Sequence, residues 1–458
     1  MTTKRLAEIS TFYNAGGGEV KVDTYTLGST LNIQNEPVLQ LDSITRTGYD
    51  AAGGSIATPP VTFTYSHVVD NRVYGYETDH GVFPPMKFAR MSNIRTETGA
   101  DIAIDYTNHV DTDQPACTAT NVPTDLPNNK RLCYPVRRTL PYNEGTSLDF
   151  FHKYVVKQVR VQDTTSGSPT QITDYSYKNA AWHYDDNELV KPADRTYGQF
   201  RGFATVETRA GNTGHTPPDS GGAGADKRTY TKSLFFQGMH EDPLPDNVKR
   251  DVKVKNSLNE EVHDLDQYAG AAFETQTFNG DGGALLSKTI TNPITIASNV
   301  TRTRTGLPDL VATITATERT RQFTERRTPP GVTEPTPPLV ATTVARYDST
   351  GRVIAETSSA TGLPDQCATT EYATHPTITN QVKQTVASTG ACPASGEPQT
   401  SITAATRTST TAPPPSVRSP APPTSPASTP PPLPTPTVSP CTRPPGPQPS
   451  TPPGAPCP

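Results

Sequence analysis

His183, Asp185, Asp186 and Glu188 crowd one short stretch, with Asp149 and His152 upstream. Imidazole and carboxylate groups together can hold a divalent cation or pass a proton to and from a substrate. Their spacing fits no arrangement that does so. There is no His-Glu-x-x-His for a helix face, no Asp-x-Asp-x-Asp-Gly loop, no Gly-x-Ser-x-Gly elbow and no phosphate-cradling Gly-x-x-x-x-Gly-Lys. The cluster therefore reads as a solvated loop beside a core-packed Trp182, and no catalytic, cofactor-binding or metal residue is assigned. Tyr13, Tyr25, Tyr74, Tyr76, Tyr175 and Tyr177 could form a sugar-binding platform. Tyrosine is equally a half-buried strand residue, and that packing role is preferred.

Six cysteines fall into local pairs: Cys117 with Cys133, Cys367 with Cys392, and Cys441 with Cys457. None stands at zinc-ligand spacing. Disulfides are expected for the first two pairs, each closing a polar, turn-rich loop and restricting the unfolded chain by about 3 kcal/mol. That points to an oxidising compartment.

The elements that must position these groups are strands. Val344 to Thr357 reads as strand, turn and strand: Asp348 opens the bend, and Gly351 supplies the positive φ that reverses the chain. Thr343, Ala345 and Tyr347 share one face of the incoming arm, and Val353 and Ala355 one face of the outgoing arm. Similar units recur. Leu39 and Leu41 precede a glycine-rich bend and the alternating Val61, Phe63 and Tyr65; Gly99 turns into Ile102, Ile104 and Tyr106. Val155, Val159 and Val161 are answered by Ile172, and Asn-Gly-Asp-Gly-Gly from Asn279 to Gly283 marks another hairpin. Only around Asn259 to Ala272 does helical periodicity compete, where Asn259, Glu260 and Glu261 open a short helix or a polar turn.

The chain has 458 residues, a net charge of -5 with both signs interspersed, and only 32% hydrophobic residues. There is no basic stripe for nucleic acid and no run of about 18 apolar residues for a membrane. The amino end lacks the apolar stretch of a signal peptide, so an internal start within a longer protein is expected. From Thr411 onward proline takes over, 21 of the last 48 residues, which predicts polyproline II or disorder because nothing there can bury a core. Such a tail is either a stalk or an out-of-frame translation; the second is favoured, since the prolines keep no period.

Tyr347, Asp348, Gly351 and Arg352 form a Y-D-x-x-G-R core that resembles the YD repeat of the Rhs family, found also in teneurins and in the B and C components of insecticidal Tc toxins. Pro59 to Tyr65, Pro84 to Gly99, Arg302 to Leu310 and above all Ala180 to Glu207, with Gly-Gln-Phe-Arg-Gly-Phe around Gly202, are similar to actinobacterial Rhs proteins and the middle region of Tc toxin B components. The resemblance implies an all-β fold of repeated antiparallel hairpins in an extended, curved shell sheet. The expected divisions are 1–210 (a region like the Tc B middle region), 211–330 (shell continuation), 331–410 (the YD segment) and 411–458 (the tail). The family's aspartate-based self-cleavage motif is not matched: Asp242-Pro243-Leu244 lies mid-chain with Pro245 where glycine is needed, and receives no role. The function implied is a non-enzymatic, exported scaffold that encapsulates a C-terminal toxin, with the toxin moiety or a partner shell segment lying outside this chain. The alternative is a cell-surface adhesin or carbohydrate-binding module on the proline-rich stalk, and the third reading a metal-dependent hydrolase around His183.

Overall fold

Strands form wherever the sequence alternates β-branched and polar residues, and they join in chain order. The computed structural model describes residues 4–407 apart from 15, 33–37, 67–69, 80, 110–113, 140–144, 212–227, 327–335, 375–379, 395–396 and 398–399. The proline-rich segment and Cys441 and Cys457 lie outside the described residues. Among those described there is no α-helix, only the single 3-10 turns Pro192–Asp194, Pro245–Asn247 and Asp266–Tyr268. The fold is all-β, as expected, and is built around one 19-stranded antiparallel sheet.

Glu8–Asn14 pairs with Glu19–Asn32, that strand with Val38–Tyr49, and the pattern continues to Val382–Thr389 with Ile402–Arg407. Each long strand of the sheet pairs with the next in the chain, the three-residue Ser55–Ala57 sharing Val38–Tyr49 with Val61–Ser66. The sheet is continuous past residue 211, where Gln199–Ala210 meets Thr229–Phe235, and past 330, where Leu310–Thr324 meets Leu339–Tyr347. Three two-stranded excursions leave it: Glu77–Thr78 with Gly81–Val82, Cys133–Thr139 with Thr146–His152, and Lys253–Lys255 with Glu261–His263.

Burial follows the excursions. Ala100–Thr107, whose Ile102, Ile104 and Tyr106 alternate so strictly in sequence, is half-buried at every position. A strand under a second layer would alternate buried with exposed. The buried clusters instead sit where excursions fold back: Val73, Cys117, Cys133 and Phe150; Leu132, Ala180 and Phe203; and Phe236, Tyr268, Phe273 and Ile290. Trp182 is buried, its ring 4.9 Å from that of Tyr134 and 5.0 Å from Phe200, and its indole N–H donates to the Arg131 carbonyl at 3.0 Å. The register shifts between Ala180 and Trp182, and Gly202 answers with φ +77, leaving its carbonyl to accept from the Gln237 side chain at 3.0 Å. Cys117 is bonded to Cys133 with Cα atoms 6.3 Å apart, and Cys367 to Cys392 at 4.9 Å.

Residues 256–260 form a turn, not the start of a helix. Asn256 Oδ1 accepts the amides of Leu258 and Glu260, and Asn259 takes φ +63, which asparagine tolerates. The turn is pinned to the sheet by Glu260, which receives Arg321 Nη1 at 2.8 Å and Asn256 Nδ2 at 2.7 Å. Hydrogen bonding from Arg321, with the charge of Arg321 and Arg319, lowers the Glu260 carboxyl from 4.5 to about 2. A lowered folded-state value stabilises the fold above pH 4.5, and the gain disappears as pH falls through 2. Because Glu260 is about one-third exposed, solvent screening reduces the expected benefit to about 1 kcal/mol. Glu260→Gln should lose that amount at pH 7, and urea titrations of the two proteins should converge between pH 4.5 and 2.

Candidate functional site

The structure places the residues around His183 among fixed partners. His183 is buried rather than solvated, because Asp242, 1% exposed, comes up against it: His183 Nε2 lies 3.4 Å from Asp242 Oδ1. Asp242 also accepts the Tyr184 amide at 3.0 Å and faces Arg250 Nη2 at 3.4 Å, and the Tyr197 hydroxyl donates to the Pro243 carbonyl at 2.9 Å. The Asp242-Pro243 segment thus anchors the 183–197 loop, a tertiary role that its sequence surroundings did not reveal. Asp186 pairs with Arg304 at 3.0 Å, Glu188 with Arg302, and Gln199 Nε2 bridges Asp185 and Asp186 at 3.2 Å each. Burial raises the Asp186 pKa, but hydrogen bonds from Arg304 and Gln199 outweigh it and the net shift is downward. The carboxylates are engaged in holding the loop to residues 302–304.

Asp149 and His152 have different partners. Asp149, 1% exposed, lies 2.8 Å from Arg72 Nε and 3.8 Å from Arg138 Nε. His152 faces Asn108 Nδ2 at 3.2 Å, and burial lowers its pKa, favouring the neutral ring. Of the tyrosines considered for a sugar platform, Tyr177 spends its hydroxyl on the Val156 carbonyl at 2.6 Å, and burial pushes its pKa up to about 12.

That bond is one of a set. Tyr65 donates to Leu41, Tyr347 to Thr317 and Tyr372 to Val353, at 2.8, 2.7 and 3.0 Å, in each case to a backbone carbonyl on the preceding strand of the sheet. Tyr65, Tyr347 and Tyr372 also each stand at a register shift with the following strand. A bulge strengthens local twist, and the phenol fixes that twist against the strand behind. The Y-D-x-x-G-R segment is the fullest version. Asp348 Oδ1 accepts Thr350 N at 2.9 Å, the Thr350 hydroxyl at 2.7 Å and Arg352 N at 3.1 Å, while Oδ2 takes Arg352 Nε at 2.7 Å. Burial raises the Asp348 pKa, but these hydrogen bonds prevail and hold it well below the usual carboxylate range. The Arg352 guanidinium lies 4.5 Å from the centre of the Tyr372 ring. One motif therefore ties four successive strands. Beside it opens a trough of about 1090 Å³, whose lining includes Ile294, Ile296, Glu318, Arg346, Tyr347 and Glu371.

A second constellation escaped the sequence because its members are far apart in the chain. His240, Asp251 and His263 bring one potential ligand atom each to within 4.8 Å of one another. No short-spaced motif announces them.

No family model and no curated protein matches the chain. Among solved structures it is similar to the one described as "Crystal Structure of TcdB2-TccC3-TEV", with TM-score 0.38 and 10% identity over 79% of this chain and 19% of that one. It is also similar to "Crystal Structure of TcdB2-TccC3 without hypervariable C-terminal region", with TM-score 0.39 and 11% identity over 83% of this chain and 22% of that one. The chain thus spans about a fifth of the length of either.

Proposed function

We propose that this chain is a non-enzymatic scaffold, a stretch of an Rhs/YD-repeat shell that encloses a toxic C-terminal moiety carried by the same or a partner polypeptide. The observation that carries this reading is the chain-order meander in which tyrosine hydroxyls repeatedly fasten one strand to the one before it. A sheet built by such repetition grows by local contacts and can enclose a volume without a central core. Half-burial along Ala100–Thr107 and the open trough beside Tyr347 accord with a wall that has an inner surface left for something else to meet. The ion-paired state of Asp186 and Glu188 supports a structural duty for the His183 loop. Two disulfides support assembly in an oxidising compartment, outside the cytosol.

The test is protection. An unstructured, lysine-rich polypeptide fused to the carboxyl end of the full chain should be cleaved by trypsin more slowly than the same polypeptide on an unrelated β domain. Cleavage at the unprotected rate, with selective binding on a glycan array, would replace encapsulation by carbohydrate recognition.

A further inference from the structure

His240, Asp251 and His263 come from three segments whose backbones are locked together. The His240 amide donates to the Asp264 carbonyl at 2.8 Å, and the Asp264 amide to the Val252 carbonyl at 3.0 Å. The Asp264 carboxylate, 1% exposed, accepts the amides of Gln237, Gly238 and Met239 at 2.7, 2.8 and 3.0 Å. The Glu241 amide bonds Arg250 and the Arg250 amide bonds Asp242, which sets Asp251 beside His240, while Lys253 pairs with His263 in the short hairpin. The three side chains thus converge on a framework that is already rigid.

The two nitrogen–oxygen distances at the point of convergence match the spacing of ligands around one metal ion, and all three ligand atoms lie within 4.8 Å of one another. His240 Nδ1 and His263 Nδ1 lie 3.3 and 3.6 Å from the same oxygen, Asp251 Oδ1, and the ring centres are 4.3 Å apart. Hydrogen-bonded N and O would close to about 2.7–3.2 Å. Ligands of a tetrahedral ion with bonds of about 2.0–2.2 Å stand roughly 3.3–3.5 Å from each other. His240 Nδ1 also lies 3.4 Å from the Val252 amide. A metal ion would supplant the long Val252 contact.

We propose that His240 Nδ1, His263 Nδ1 and Asp251 Oδ1 form a binding site for a divalent transition-metal ion of the zinc class. Two imidazoles and a single carboxylate suit such an ion, whereas calcium and magnesium take all-oxygen sets. His263 is about half exposed and Asp251 mostly exposed, which leaves a further coordination position open to water or to a ligand from a neighbouring protein segment. Bound metal would staple residues 240, 251 and 263 where the excursion meets the sheet.

The experiment uses the full chain, treated with chelator and dialysed, titrated with Zn²⁺ in a calorimeter and with Co²⁺ in the visible spectrum. One equivalent of Zn²⁺ should bind, Co²⁺ should give the intense bands of a tetrahedral site, and Zn²⁺ should slow hydrogen exchange in residues 237–264. His263→Gln and Asp251→Asn should each abolish the Co²⁺ bands, the second at so exposed a side chain that folding is spared. His109→Ala, at an exposed histidine elsewhere, should leave them intact. Absence of stoichiometric binding by the parent chain, or undiminished binding in both ligand variants, would overturn the site.

Discussion

Gly351→Val is expected to destabilise the chain by about 3 kcal/mol and to do so locally. Gly351 has φ +85, where a β-branched residue costs about 1–3 kcal/mol in strain. The surroundings add a second penalty: a Cβ built on Gly351 would stand 2.8 Å from Ile314 Cγ2, and forcing bulk into such a contact costs a further 1–3 kcal/mol or so. Ile314 belongs to Leu310–Thr324, so the turn is pressed against the preceding hairpin, and the strain should be felt there as well as in its own arms. Hydrogen exchange should show lost protection in Leu310–Thr324, Leu339–Tyr347 and Val353–Ala360, with near-parental protection in Ala100–Thr107. In a sheet paired strand by strand in chain order, damage has no short path to a distant repeat. Uniform loss along the chain would mean a single cooperative unit, and the repeat-wall architecture would have to be given up.

The Asp348 turn was legible because its determinants are contiguous: a side chain that bonds amides two and four residues on, and a glycine at the one position needing positive φ. Strand alternation likewise lies in the chain itself, and so did the two short cystine loops. What could not be read was whatever depends on a partner distant in sequence. Tyr65, Tyr177 and Tyr372 lack the Asp and Gly-Arg of the motif, so only the geometry of neighbouring strands shows that they make the same carbonyl bond as Tyr347. Asp242 is ordinary until the fold sets it against His183, and His240, Asp251 and His263 become a cluster only when a hairpin returns Glu261–His263 along Lys253–Lys255. Nor does strict alternation reveal whether a second layer covers a strand: Ile102, Ile104 and Tyr106 share a face in sequence, and the fold leaves that face half-buried.

Removing one half of the Arg72–Asp149 pair should cost about 3–5 kcal/mol, because it strands a charge inside the disulfide-bearing excursion. Asp149 is 1% exposed and the Arg72 side chain 9%. The guanidinium lies against the rings of Phe83 and Phe151, at 5.6 and 5.4 Å, and Arg138 Nε stands 3.8 Å from the same Asp149 oxygen. Arg72 Nε and Asp149 Oδ2 approach to 2.8 Å without a well-directed hydrogen bond, so attraction repays the cost of desolvation only in part. Asp149→Ala should therefore lower the urea midpoint sharply under non-reducing conditions, with Cys117 and Cys133 still joined. The double change Arg72→Met with Asp149→Leu, which removes both charges and fills the space, should recover most of that loss. Arg138 remains in the double variant with its Nε and Nη2 buried, so the part of the loss that is not recovered is assigned to its charge. If the double variant were as unstable as Asp149→Ala, the pair would be contributing directed bonding rather than mutual neutralisation, and the excursion would depend on that contact more than on the apolar packing of Val73 and Phe150 around its cystine.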